Sequence, residues 1–250
     1  MNTLQAHQLD LYKEFKLLCD ENGLRYFAAG GTKIGAVLWQ GFIPWDDDID
    51  IVMPQPDFKK FINIVKKSKV SFDIFDATSA DHADILGVKL HDPRTTFTSN
   101  NLLAFPESFT GVFLDIFPLI GTPDEGDERE AFVRRLIELK DALYMKRIFD
   151  IGEKATKTLL KEYVRLIDSF DYDHAKIVTN PSNPERELTE RQGYDSYDDL
   201  NFEDTRVRVP IDYDNQLKIQ YGGYTKDWPE SERNATHEDF ALVDLDTPYE

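Results

Sequence analysis

Four aspartates, Asp46, Asp47, Asp48 and Asp50, stand within five residues in the stretch GFIPWDDDIDIVM. Apolar residues flank them: Phe42, Ile43 and Trp45 before, Ile51, Val52 and Met53 after. Carboxylates gathered in such surroundings repel one another and lose hydration, a cost that a bound cation offsets. On an extended strand side chains alternate, so Asp46, Asp48 and Asp50 share one face and Asp47 takes the other. Same-face neighbours lie roughly 7 Å apart along a strand, near enough to lean together on one or two divalent ions. Oxygen-only ligands suit Mg²⁺ or Mn²⁺, whose shell is shared among a few carboxylates, waters and substrate phosphates. A solvated loop with a chance acidic run is the plain alternative. An EF-hand calcium loop is excluded, because that template needs Gly where Ile51 stands and Glu where Asp57 stands.

A further acid lies in GVFLDIFPL, where Asp115 alternates with Phe113 and Phe117 on an otherwise apolar strand. A lone carboxylate there is costly unless partnered. Either backbone amides hold it, or a neighbouring strand brings it beside Asp48 and Asp50. In the second case, three carboxylates and a metal pair suit in-line displacement at phosphorus, one ion activating the attacking oxygen and the other holding phosphates. Upstream, AGGTKIG (29–35) supplies a glycine turn opening a helix. Backbone amides around Gly30, Gly31 and Thr32, aided by the helix dipole, can cradle a phosphate. The stretch matches no Walker motif, and Gly-Gly often makes a plain turn.

The elements that must carry these groups follow from pattern. Residues 4–22 predict an amphipathic helix stopped at Asn22-Gly23. RYFAAGG (25–31) predicts a short strand, and Thr32 a cap for the helix KIGAVLW. A strand is expected from Asp47 to Met53, then a helix from Pro56 or Asp57 to Lys67. SFDIF (71–75), ILGVKLHD (85–92), TTFTS (95–99) and GVFLDIF (111–117) read as strands. From Asp127 to about Phe170 the pattern is helical, with a break near Gly152. The remainder is turn-rich and acidic, with extended pieces near Phe202 and Val207. Strand, Gly-Gly-Thr, helix and then Asp-x-Asp on the next strand is the order of the polymerase-β-like nucleotidyltransferase fold. The expected class is therefore α+β, a mixed-sheet core over residues 1–122, a helical subdomain over 123–170 and a C-terminal segment, 171–250, packed on the core as one functional unit.

At 250 residues the chain can bury a substantial core. Its net charge of -18 argues against a nucleic-acid partner and points to a bridging cation for any anionic substrate. The single cysteine, Cys19, falls on the apolar stripe of the first helix with Leu11, Tyr12, Phe15 and Leu18 and reads as structural. A lone cysteine excludes disulfides and zinc–cysteine sites and favours a cytoplasmic setting. No stretch approaches the ~18 apolar residues of a membrane span, and no signal peptide is expected. Basic residues from Arg134 to Lys161 either meet anionic headgroups as a peripheral contact or form helix surface balanced by Glu138, Asp141 and Glu153.

GGTKIGAVLWQGFIPWDDDIDIVMP resembles the signature of the LicD family of phosphocholine transferases, in which Gly-Thr-x-x-Gly-Ala-Val precedes Gly-Phe-Ile-Pro-Trp-Asp-Asp-Asp-Ile-Asp. GVFLDIFPLIGTPD (111–124) and FEDTRVRVPIDYDNQLKIQYGGYTKDWPESER (202–233) are similar to that family too, whereas 125–195 agrees poorly. The resemblance implies metal-dependent transfer of phosphocholine from CDP-choline to a hydroxyl of a cell-surface glycan precursor, of teichoic acid, lipopolysaccharide or capsule type. It places Asp48 and Asp50 as paired ligands of Mg²⁺ or Mn²⁺ and Asp115 as the third acid, with general-base duty on the acceptor hydroxyl open to it. Gly31 and Thr32 would hold donor phosphate. Lys33 is a second phosphate contact or a solvated helix lysine.

One departure bears on the substrate. Where many relatives carry a basic pair or Arg-His after Gly-Ala-Val, this chain has Leu38-Trp39-Gln40. The transferred group could then be phosphoethanolamine, glycerol phosphate, ribitol phosphate or a nucleotide. Trp39 is one wall of an aromatic cage for a quaternary ammonium or a packed tryptophan, and Trp45 is a similar case. Among Lys89, His91 and Arg94, Lys89 is the pick for an anionic contact, against plain surface solvation. His237 is a weak rim candidate, and His7, His82 and His174 read as surface. A non-catalytic metal- or nucleotide-binding scaffold is the rival to an enzyme.

Overall fold

The computed structural model describes residues 1–76, 87–99, 111–145, 152–228 and 240–249. His82, His237, Lys146, Arg147 and the first two residues of the strand expected at 85–92 lie outside them.

Helix α1 (Thr3–Glu21) opens with a capping box, Asn2 and Gln5 each accepting from the other's backbone amide. Its stripe at Tyr12, Phe15 and Cys19 repeats at helical spacing and is buried. Phe15 meets the rings of Tyr26 and Phe61 edge-on, each at 5.3 Å. Cys19 is fully buried, and burial pushes its thiol pKa up, as befits a packing residue.

Strand β1 (Phe27–Ala28), helix α2 (Gly30–Trp39), strand β2 (Asp50–Pro54), helix α3 (Gln55–Val65), strands β3 (Asp73–Asp76) and β4 (Val88–His91), and the long strand β6 (Phe113–Gly121) build a mixed sheet in the order β1-β2-β6-β4-β3. Only β2 and β6 run parallel in that order, and α3 lies on the connection between them, as a parallel pair requires. The end of β6 also pairs with β7 (Ile177–Thr179), which carries β8 (Thr189–Glu190). Ile51, Met53, Leu90, Leu114 and Ile116 from the sheet pack against α1, α3 and a hairpin of β9 (Tyr197–Phe202) and β10 (Thr205–Pro210). Strand β5 (Thr96–Ser99) pairs apart from this sheet with β11 (Phe240–Asp244).

Two helices, α4 (Gly126–Met145) and α5 (Glu153–Ile167), enclose their own cluster of Leu136, Leu139, Leu143, Leu160 and Tyr163, which reaches the sheet at Ile120. On their surface Arg135 pairs with Glu138 and Glu162, and Lys157 with Glu153. Helix α6 (Tyr213–Tyr221) follows the hairpin and packs Leu217 against Ile34 of α2. No helix among the described residues is long and apolar enough to cross a membrane.

Two local expectations are corrected. The acidic strand begins at Asp50, because its partner β1 supplies only Phe27 and Ala28, opposite Val52 and Ile51. Asp46, Asp47 and Asp48 therefore belong to the preceding loop, and strand alternation does not order them. Thr32 is no helix cap either: α2 begins at Gly30 after Ala29, placing Thr32 inside its first turn.

Candidate functional site

The parallel register sets Asp50 of β2 directly beside Asp115 of β6, and the antiparallel register sets Lys89 of β4 on the other side of Asp115. The three form a row across adjacent strands. Asp48, at the end of the loop, folds onto that row: one carboxylate oxygen each from Asp48, Asp50 and Asp115 lie within 4.8 Å of one another. Asp46, Asp47 and Asp48 form a second such group, so Asp48 is common to both.

Buried amides shape the loop. Gln5 of α1 donates its side-chain amide to the carbonyls of Ile43 (3.3 Å) and Asp46 (3.0 Å), and Gln8 donates to the carbonyl of Asp47 (2.6 Å). Both glutamines are fully buried. Sequence reasoning passed over them, yet a signal was present. Gln5 and Gln8 continue the helical spacing of Tyr12, Phe15 and Cys19, and an amide on an apolar stripe needs a partner.

The glycines admit the acids to the start of α2. Gly30 has a left-handed φ of +46°, and a Cβ there would lie 2.2 Å from Asp50 Oδ2. At Gly31 a Cβ would lie 2.5 Å from Asp46 Oδ2. The Asp50 amide donates to Thr32 Oγ1 at 2.9 Å, and the Ala29 amide donates to the Asp50 carbonyl at 3.0 Å. Gly30, Gly31 and Thr32 thus stand at the acids, on the positive end of the helix dipole.

Burial pushes the Asp50 carboxyl well above the usual carboxylate range, and Asp48, Asp115, Asp46 and Glu187 push it in the same direction. Glu187, outside every motif noted in the sequence, is itself raised by burial and partly balanced by Lys33. Lys33 is not solvated. It is buried, its Nζ donates to Gln216 Oε1 and Gln220 Oε1 at 3.2 Å each, and burial pulls its pKa down to about 8.

Lys89 is not a plain surface lysine either. Its Nζ lies 2.8 Å from the Asp115 carboxylate and 3.7 Å from the centre of the Phe113 ring, with side-chain exposures of 14% for Lys89 and 11% for Asp115. A pair so little exposed is held by charge and geometry together. Arg94 is instead committed to Asp92, at 2.8 Å, in a turn. Trp39 and Trp45 meet edge-on at 5.9 Å, and Trp45 meets Trp228 at 6.1 Å, so all three tryptophans of the chain gather in one cluster. Lys226 Nζ stands 5.6 Å from the Trp39 ring.

The converging oxygens of Asp48, Asp50 and Asp115 are the donor set that Mg²⁺ or Mn²⁺ takes, and a divalent charge would relieve the repulsion that raises Asp50. The residues present fit such an ion.

Residues 23–125 match the sequence profile of the family described as LicD/FKTN/FKRP, nucleotidyltransferase domain. Along almost its whole length the chain is similar to the lipopolysaccharide cholinephosphotransferase LicD of Haemophilus influenzae, 25% identical over 264 residues that cover 94% of this chain and 96% of that protein. An uncharacterized protein of Rickettsia typhi is 39% identical over 59 residues, 24% of this chain and 19% of its own.

Proposed function

Residues 23–125 are a LicD-family domain, and from that premise we propose that this chain transfers phosphocholine from CDP-choline to a hydroxyl of a cell-surface glycan precursor. The core would be of the polymerase-β-like nucleotidyltransferase type, acting in the cytoplasm or at the inner face of the plasma membrane. The observation that carries the reading is the convergence of Asp48, Asp50 and Asp115 on one point at the start of α2.

Asp48, Asp50 and Asp115 would hold Mg²⁺ or Mn²⁺, which when bound screens the donor diphosphate and polarises the phosphorus under attack. The Asp115 carboxylate takes the proton of the acceptor hydroxyl. The acceptor oxygen then bonds to the phosphorus bearing choline as the bond to the CMP oxygen breaks. Lys89, beside Asp115, keeps a positive charge next to the reacting oxygens. Amides at the start of α2 orient the departing phosphate. Most of the rate enhancement would come from positioning and charge neutralisation.

The test is turnover. Incubation with a panel of CDP-alcohols and nucleoside triphosphates, following release of CMP or pyrophosphate, should select CDP-choline. Asp48→Asn and Asp50→Asn should purify folded with no detectable transfer, and activity in both would remove the metal assignment. Selection of CDP-ethanolamine, CDP-glycerol or CDP-ribitol would instead assign the Leu38-Trp39-Gln40 departure to the transferred group.

A further inference from the structure

A cavity of about 410 Å³ opens between α2, α6 and the segment that follows α6. Ile34, Arg186, Tyr221, Tyr224, Asp227 and Trp228 line it. It lies beside the acid-bearing loop. Trp228 packs on Trp45, the residue before Asp46. Tyr221 lies close enough to Asp50 and Asp46 for their charges to act on its hydroxyl. Its size lies in the range of cavities that hold a small organic ligand.

The walls are three half-buried aromatic rings, and their charges are unlike those of an ammonium cage. A quaternary ammonium needs ring faces turned to it without a competing cation nearby. Here the Arg186 guanidinium already lies 4.7 Å from the Tyr221 ring centre, and Lys226 Nζ stands over Trp39 in the adjoining cluster. Arg186 is anchored by donating Nε–H to the Gln220 carbonyl, which fixes its planar fork in the cavity wall. Aromatic walls with a fixed guanidinium fit a flat heterocycle joined to a phosphate: the rings stack the base and the guanidinium meets the anion.

We propose that this cavity takes the pyrimidine nucleoside of the donor, its base against Tyr221, Tyr224 and Trp228 and its phosphate turned toward Arg186. The proposal rests on the reading that the donor is a CDP-alcohol. It also moves the alcohol away from these rings, so Trp39 and Trp45 pack beside the nucleotide pocket and do not enclose choline. Asp227, on the lining, offers an acceptor suited to an exocyclic amine.

The test is calorimetric binding of CMP and, separately, of phosphocholine to the full chain in Mg²⁺ buffer. Tyr224→Ala and Trp228→Ala should each raise the Kd for CMP at least tenfold, the scale of one lost stacking contact. Tyr224→Phe and Trp228→Phe should stay close to the parent, and the Kd for phosphocholine should not move in any variant. Unchanged CMP affinity in both alanine variants, or a weakened phosphocholine affinity in them, would overturn the assignment. If the alanine variants fail to fold, saturation-transfer NMR on the parent chain decides. Transfer to the cytosine protons of CDP-choline supports the proposal, and transfer confined to the choline methyls overturns it. Failure of the two readings is distinguishable: without CDP-choline turnover but with variant-sensitive CMP binding, the activity falls and the pocket stands. With turnover and variant-insensitive CMP binding, the pocket alone falls.

Discussion

Lys89 Nζ sits 2.8 Å from the carboxylate of Asp115, on the strand next to the one that carries it. The pair is little exposed, so Lys89 offsets part of the negative charge that Asp48 and Asp50 add to the same point. Removing that cation leaves the acids with more net charge, which strengthens their hold on a divalent ion. Lys89→Met should therefore lower the Mg²⁺ concentration at half-maximal activity while reducing kcat at least tenfold. A magnesium titration of turnover checks both directions at once. An unchanged midpoint would mean that Lys89 acts only in packing, against the Phe113 ring.

Gln8 and Gln5 tie α1 to the carbonyls of Asp47, Asp46 and Ile43. Leucine at either position keeps the bulk and removes the donors, leaving buried carbonyls unpaired, at about 1–3 kcal/mol each. Gln8→Leu should lose stability of that order in urea unfolding. With the loop less constrained, it should also need more Mg²⁺ for half-maximal turnover. A stability loss with an unchanged magnesium midpoint would restrict Gln8 to holding α1 in place.

Much of this site was legible in the sequence, and the parts that were not share a cause. Asp48, Asp50 and Asp115 were readable because acids among apolar residues are costly, and for Asp50 and Asp115 strand periodicity then limits where they point. Which loop residues would face the row was not readable, since Asp46 to Asp48 lie outside the strand, and the carbonyls of Asp46 and Asp47 are held by glutamines 41 and 39 residues away in sequence. The surroundings of Lys33 and Lys89 were left open for a related reason. A lysine on a helix or strand looks solvated until α6 supplies Gln216 and Gln220, or β6 supplies Asp115. Glu187 and Arg186 stand where the chain agrees least with the family motifs, and only the tertiary fold brings them to α2.

Gly30 and Gly23 separate backbone strain from close approach. Both have left-handed φ, +46° and +62°, but a Cβ at Gly23 meets nothing within 4 Å, whereas one at Gly30 meets Asp50. Alanine at Gly23 should cost only the left-handed penalty, about 1–2 kcal/mol, and leave turnover intact. Alanine at Gly30 carries the same penalty and also displaces a carboxylate of the acid row, so turnover should fall at least a hundredfold. Thermal melts beside turnover assays decide it. Equal activity in the two variants would show that Asp50 can shift without consequence.

Lys33 gives the fold a pH signature. Its folded pKa is about 8, below the ordinary 10.5, because burial disfavours the charged ammonium. Below about 8 both folded and unfolded chains hold the proton, and the cost of burying the charge is fully present. Between about 8 and 10.5 the unfolded chain keeps the proton that the folded chain has lost, so stability from this group rises with pH. The full gain is at most about 3.4 kcal/mol at 1.36 kcal/mol per unit. Lys33→Met abolishes the titration, though it also deprives Gln216 and Gln220 of a donor, so the trend is the measure and not the offset. Urea unfolding at pH 7.5, 9 and 10 should show parent stability gaining on the variant at each step. Comparing the two chains cancels the tyrosines, which in the unfolded chain titrate at about 10. A constant difference across the series would mean that Lys33 keeps its proton throughout, held by Glu187 and the two glutamines.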